Sequence, residues 1–286
     1  MVASVASHGG CALPQGEDNL AYAAAELSLR LWGENNPSRR RGAQNRGAQS
    51  RGARITIRKR IPMAAGLAGG SSDAAAVMLA LARALAPDAR LSEVIAAGAS
   101  IGADVPFCVA ALAKANPQLG YSGEAEARSS ALCEGIGDVL SQTDPASGWA
   151  VLIKPAIEVS TPEIYAGWDA LAVDFGAART RIPDGDDPAP ESVPSGDDSS
   201  FDTFRGATPE GNDLAVAAVQ RYPLIGDIMD DVRSVAHADR VFMTGSGPTI
   251  VALYADETKA SRDCSALSGT YKDRADIDAV ILSKLL

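Results

Sequence analysis

Residues 62–76 read "PMAAGLAGGSSDAAA", and what lies on either side fixes how this stretch can fold. Before it, "RITIRKRI" alternates cleanly, with Ile55, Ile57 and Ile61 on one side and Thr56, Arg58 and Arg60 on the other. That period of two predicts a half-buried strand. After it, Val77, Leu81 and Ala84 share one face of a predicted helix over Ala74–Leu85 that starts at Ser71–Ser72 and is closed by Pro87. The chain therefore runs from a strand through Gly66, Gly69 and Gly70 into a helix. Glycines let the backbone turn its N–H groups inward and let a bulky anion come close. The helix start adds free donors and a partial positive charge. Ser71 and Ser72 can cap the helix, donate to phosphate oxygens or help hold Mg2+. The loop is shaped for a polyphosphate, and a glycine-rich turn serving only packing is the competing reading. It is not a Walker A loop, because Gly-Lys-Ser/Thr is absent, nor the Gly-x-Gly-x-x-Gly of dinucleotide sites.

The rest of the chain mixes strands and helices without regular alternation, which favours two α+β domains over a doubly wound sheet. "EDNLAYAAAELSLRLW" predicts a helix capped by Asp18 or Asn19, with Leu20, Ala24, Leu27 and Leu31 at helical spacing. "SEVIAAGAS" predicts another, ending near Gly98–Gly102. Pro106 is expected to force Val105 out of helical geometry, so Asp104 falls in a tight non-helical connection and "PFCVAAL" reads as a strand or buried segment. "KANPQLGYSGEAEARSS" reads as a polar surface insertion. "GWAVLIKP" is a very apolar strand ended by Pro155, and the domain boundary is placed just before it, giving domains 1–147 and 148–286. "NDLAVAAVQRYP" reads as a helix capped by Asn212. "RVFMTGSGPTIVALYAD" reads as two strands around a Gly-Ser-Gly turn, followed by a helix and a last short strand in "DAVILSKLL". The thrice-repeated Arg-Gly-Ala tract and the acidic, Pro-rich residues 183–200 read as solvated loops.

Composition excludes several classes. A formal net charge of −10 and a pI near 4.7 argue against a nucleic-acid partner and an anionic membrane surface. An acidic chain that binds an anion needs a local device, such as the backbone amides above. No apolar run approaches the ~20 residues of a spanning helix. "MVASVASHGG" is a poor secretion signal, which leaves a cytoplasmic expectation. Cys11, Cys108, Cys133 and Cys264 form no metal-like or CxxC pattern with His8 or His237 and read as reduced thiols.

"PMAAGLAGGSSDAAA" resembles the phosphate loop of the GHMP kinases, small-molecule kinases of galactose, homoserine, mevalonate and phosphomevalonate type. "MTGSGPTIVALY" resembles their third motif, in which Gly245, Ser246 and Gly247 would support the loop. "EDNLAYAAAEL", "IGADVPFCV", "EGIGDVL", "STPEIY" and "GNDLAVAA" resemble the branch that phosphorylates a cytidine-diphosphate-linked sugar alcohol on its 2-hydroxyl in non-mevalonate isoprenoid synthesis. The resemblance implies a two-domain α+β fold, with a ribosomal protein S5 domain 2-like N-terminal half and a ferredoxin-like C-terminal half. It implies ATP as co-substrate with Mg2+, and a small-molecule acceptor taken by a monomer or homodimer. It implies Asp104 as the catalytic carboxylate, also facing the substrate, where a turn aspartate is the alternative. Pro62, Met63, Ala64, Ala65, Gly66, Leu67, Ala68, Gly69, Gly70, Ser71 and Ser72 would form the ATP loop, with Ser71 and Ser72 toward the metal. Asn19 would contact adenine, Tyr165 would stack on cytosine, and Thr161 would lie nearby.

The opening strand with Pro-Ala-Lys-x-Asn-Leu and the Tyr-His pair expected of this family are missing from the sequence. A start called too late, or a nucleotide-binding relative without turnover, are the two explanations, and a different acceptor such as homoserine or a mevalonate-type alcohol is a further alternative. The missing strands are expected to leave sheet edges uncovered.

Overall fold

The structure is a computed structural model that describes residues 3–8, 13–14, 16–33, 52–145, 147–174 and 212–285. Cys11, most of the Arg-Gly-Ala tract and the acidic, Pro-rich stretch lie outside them. The chain divides into two units: Met1–Ile61 with Ala68–Asp144, and Pro62–Leu67 with Pro145–Leu286.

The first unit is built around helices α1 (Leu20–Trp32), α2 (Gly69–Leu85), α3 (Leu91–Gly98) and α4 (Val105–Ala115). A parallel ribbon joins β1 (Ala3–His8) to β2 (Ala53–Arg58), with Val5 opposite Ile55. An antiparallel hairpin joins β3 (Ala131–Glu134) to β4 (Val139–Gln142), with Glu134 opposite Val139. Alanines at 74, 75, 82, 110 and 113 are fully buried and let α2 and α4 approach closely, while Met78, Leu79, Leu91, Val94 and Val109 fill the space between helices. α1 starts where Asn19, not Asp18, caps it: Ala21 N and Tyr22 N donate to Asn19 Oδ1 at 3.0 and 3.4 Å.

Several sequence expectations are corrected here. "PFCVAAL" is helical, not a strand: Val105 already belongs to α4 and Pro106 sits in its first turn. A proline there has no intrahelical acceptor to lose, and the preference it imposes on the residue before it yields to the helix that follows. Asp104 itself holds helical angles, φ −81° and ψ −14°. α2 starts at Gly69 rather than at the serines. Ile61 lies outside β2 and is exposed. The polar "insertion" carries Tyr121, which is buried in the helical core.

The second unit contains a four-stranded antiparallel sheet of β5 (Gly148–Pro155), β6 (Arg240–Met243), β7 (Ile250–Tyr254) and β8 (Ile277–Leu285), in the order β6-β7-β5-β8. With helices α5 (Thr161–Asp174), α6 (Leu214–Arg221), α7 (Pro223–Val235) and α8 (Glu257–Tyr271) between strands, this is the ferredoxin-like arrangement. β5 is central because its apolar run can be buried on both faces: Ala150, Val151 and Ile153 are all buried. Ile164, Ile225, Ile228, Val232 and Leu267 cover one side of the sheet. Lys154, at the end of β5, is buried but paired, donating to Pro155 O at 2.7 Å and to Asp278 at 2.7 Å.

Candidate active site

In the first unit the loop delivers an open helix start. Ala68, the residue preceding α2, has no side chain able to cap, and Ser72 N is the first amide of this turn bonded back, to Ala68 O at 2.9 Å. The amides of Gly69, Gly70 and Ser71 therefore form the donor end of a 17-residue helix, the electrostatic situation that attracts phosphate. Ser72 Oγ donates within its own turn, to Ala68 O at 2.9 Å and Gly69 O at 3.2 Å, which commits its proton and leaves its lone pairs. Ser71 is buried and Gly70 exposed.

Lys59 is a feature that sequence reasoning passed over. It follows β2, and its side chain is only 12% exposed, in an ion pair of 2.8 Å with Asp73 in the second turn of α2. Its Nζ lies 3.1 Å from where a Gly69 Cβ would stand, so a cation is held beside the helix start. A lysine next to a positive helix end is unfavourable alone, and Asp73 offsets it. The signal in the sequence was a lysine 14 positions before an aspartate, which no local pattern distinguishes from a surface pair.

Asp104 immediately precedes α4, is exposed, and makes no side-chain capping bond. Aspartate in this position normally spends its carboxylate on the helix amides. Here the carboxylate is left for another partner, and it belongs to the same unit as the start of α2. α2 and α4 pack together, and Ala74 and Ala75 from the second turn of α2 and Val105 from the first turn of α4 enter one core. Burial first, then the Asp104 carboxylate, then Cys133 push the Cys108 thiol up to about 12. Asn19 is committed to its own helix and to Pro14 O, at 3.1 Å.

In the second unit Pro62–Leu67 lie against the Gly-Ser-Gly turn. Thr244 Oγ1 donates to Gly66 O at 3.3 Å, and a Cβ at Gly66 (φ +66°) would stand 2.5 Å from Gly247 O. Only a glycine allows that approach. Asn212 is expected from sequence to cap α6, but the residue at the cap is Asp213, which makes no side-chain cap bond; Asn212, one residue earlier, donates its amide nitrogen to Met243 O at 2.6 Å and Gly245 O at 2.8 Å, while its Oδ1 accepts from Leu214 N at 3.0 Å. Thr161 Oγ1 is 2.8 Å from Ser246 Oγ, and Tyr165 on the next turn of α5 is 50% exposed. Met63 and Ala64 are exposed, Ala65 buried, and Pro62 and Leu67 half-buried.

A long helix that starts on uncapped amides after a glycine-rich stretch is a place suited to phosphate. Comparison with known proteins supplies the class. Residues 19–112 match the GHMP kinases N terminal domain and residues 201–273 the GHMP kinases C terminal domain. The chain belongs to the GHMP kinase family. Among its relatives is the 4-diphosphocytidyl-2-C-methyl-D-erythritol kinase of Moorella thermoacetica, 34% identical over 92% of this chain and 78% of that protein. The enzyme of the same name from Macrococcus caseolyticus is 31% identical over 91% and 77%. A crystal structure of 4-(cytidine 5'-diphospho)-2C-methyl-D-erythritol kinase superimposes with a TM-score of 0.61 at 26% identity, covering 100% of this chain and 83% of that one. Homoserine kinase from Cytophaga hutchinsonii, at 15% identity and a TM-score of 0.57, shares the fold. GHMP kinases use ATP as co-substrate and transfer its phosphoryl group to an alcohol. Among the described residues no helix is long and apolar enough to cross a membrane.

Proposed function

We propose that this chain transfers the γ-phosphoryl group of ATP to the 2-hydroxyl of 4-diphosphocytidyl-2-C-methyl-D-erythritol. Similarity over nine-tenths of the chain to kinases of that name supports the substrate. The observation that carries the chemistry is the uncommitted Asp104 carboxylate, in the same unit as the bare start of α2. Asp104 accepts the hydrogen bond of the attacking hydroxyl and takes its proton as the oxygen bonds to the γ-phosphorus. The bond from phosphorus to the bridging oxygen breaks, and ADP leaves. The amides of Gly69, Gly70 and Ser71 hold phosphate oxygens and stabilise the charge that spreads over them. Pro62, Met63, Ala64, Ala65, Gly66, Leu67 and Ala68, the residues leading into those amides, complete the ATP loop in this reading. Asn19 faces the adenine side, Tyr165 offers a stacking face for cytosine, and Thr161 is a neighbouring hydroxyl for the acceptor. Residues 1–147 serve as the ATP-binding domain and 148–286 as the second domain, in a cytoplasmic monomer or homodimer.

Mg2+ fits these residues. It keeps several waters and takes few protein oxygens when phosphates share it, and the Ser72 hydroxyl, its proton committed within its own turn, keeps lone pairs free for a cation. Ser71 and Ser72 would supply the protein oxygens, and the ion would neutralise phosphate charge.

The test offers labelled ATP and Mg2+ to the full chain with three acceptors: the cytidyl sugar alcohol, homoserine and mevalonate. Transfer to the first alone is expected, and Asp104→Asn should lower turnover at least a hundredfold with ATP affinity within twofold. Transfer to homoserine or mevalonate instead, or an unchanged rate in Asp104→Asn, would overturn the reading.

A further inference from the structure

The turn between β3 and β4 lies against the backbone that carries Asp104. Two of its residues are left-handed glycines, Gly135 at φ +67° and Gly137 at φ +95°. Gly137 N donates to Glu134 O at 3.0 Å, and Asp138 Oδ1 accepts from Ile136 N at 3.2 Å, so the turn is tied within itself. The hairpin gains little from burial: Leu132, Ile136 and Val139 are each more than half exposed. Its base is held by Arg128, which donates to Leu140 O at 2.9 Å, and by Ser130 Oγ, which donates to Thr143 O at 2.8 Å.

The place where a Gly137 side chain would stand is already taken. A Cβ there would overlap the Ala103 carbonyl oxygen, 2.9 Å from its carbon and 3.3 Å from Ala103 Cα. This is backbone against backbone, so no rotamer change relieves it. Ala103 is the residue before Asp104, and its carbonyl belongs to the peptide that sets the Asp104 φ. The neighbouring backbone is tied at both ends, with Val105 N donating to Gly102 O at 3.1 Å and Cys108 N to Asp104 O at 3.0 Å. A push on the Ala103 carbonyl is therefore absorbed at Asp104. Gly135 provides the contrast. A Cβ there would meet only its own hairpin, with Asp138 Oδ1 at 2.6 Å and Val139 Cγ2 at 3.7 Å. The Asp104 carboxylate also bears on the Cys133 thiol of β3, which is raised by burial and then by that charge.

We infer that Gly137 is a positioning residue for phosphoryl transfer: its bare Cα is the stop against which the Ala103–Asp104 peptide rests, and this sets the direction of the Asp104 carboxylate. The inference rests on the assignment of Asp104 made above. It adds that the β3–β4 turn, which contributes no reacting group, fixes the geometry of the group that does.

The experiment compares Gly137→Ala with Gly135→Ala in the full chain, with Asp104→Asn alongside. Both alanine variants place a side chain on a left-handed residue of the same turn, so both should lose thermal stability, and Gly137→Ala, which also meets backbone, should lose more. Three further readouts separate them: kcat with the cytidyl sugar alcohol, ATP affinity, and hydrogen exchange at the Val105 and Cys108 amides. Gly137→Ala should lower kcat at least tenfold, leave ATP affinity within twofold and lose protection at both amides. Gly135→Ala should stay within twofold of the parent in kcat and keep that protection. Equal kcat in the two variants, or retained protection in Gly137→Ala, would overturn the inference. So would a Gly137→Ala chain that does not fold while Gly135→Ala does, since the contact would then serve folding. If Gly137→Ala keeps its rate while Asp104→Asn is inactive, the inference alone falls. If both keep their rates, the assignment of Asp104 falls with it. The exchange comparison reads the contact whether or not the parent chain turns over.

Discussion

Ala68 sits at φ +49° and ψ +29°, directly before α2. An L-residue in that region brings Cβ close to the following carbonyl oxygen, at a cost of roughly 1–2 kcal/mol. Ala68→Gly removes that cost. It also gives the unfolded chain more freedom, which takes back about 0.4–1 kcal/mol. The balance is a net stabilisation of about 0.5–1 kcal/mol, and for a protein of this size that raises Tm by about 2 °C. Ala64, at φ +47°, should respond in the same direction. Ala65 is the control. It is buried and its φ is not left-handed, so Ala65→Gly loses a methyl group worth about 0.8 kcal/mol on burial together with the entropy term, and should lower Tm. Urea denaturation with matched m-values gives the three free energies, and thermal scans give the order. If Ala68→Gly and Ala65→Gly shift stability in the same direction, left-handed strain is not what distinguishes the two positions, and the reasoning fails.

Two other expectations concern ionisable groups. Because burial and the Asp104 charge hold the Cys108 thiol near 12, it should resist iodoacetamide at pH 8 in the folded protein and react promptly in urea; equal rates, read by mass spectrometry, would refute this. Asp263 is buried. Burial opposes its charge, but the His237 amide at 2.6 Å and Arg262 at 3.0 Å outweigh it and lower its pKa below the ordinary carboxylate value. The unfolded chain then holds more protons at this site, so its contribution to stability is full above the unfolded value near 3.9 and is lost as pH falls through the folded value. Asp263→Asn should flatten the fall in urea midpoint between pH 5 and pH 3; an equally steep fall in the variant would remove Asp263 from the acid response.

What could be read in advance follows from the range of the interactions. α1, α2 and β5 carry their own periodicity and end signals, and each forms where the residues predict, save that α2 begins at Gly69, ahead of the serines. α4 does not: a short apolar run looks alike as strand or helix, and only packing of Ala110 and Ala113 against α2 decides it. The β3–β4 hairpin is mostly exposed and has no alternation to detect. At the site, the glycines of the loop announce an anion through composition alone. The fit of Gly66 against Thr244 joins residues 178 positions apart, and the stop formed by Gly137 depends on a carbonyl 34 residues earlier; neither distance has a local signature. Lys59 was hidden for the opposite reason, being one basic residue in a run of three.

Asn212 ties the return of the chain to the Gly-Ser-Gly turn by offering two hydrogens to carbonyls and one lone pair to an amide. Few side chains can meet that demand at that length. Aspartate, nearly identical in shape, would present an anion to two carbonyl oxygens; leucine would leave all three backbone groups unserved; glutamine would overshoot. Hydrolysis of this one amide during storage would thus be a covalent lesion of a single dalton that loosens the floor beneath Gly66.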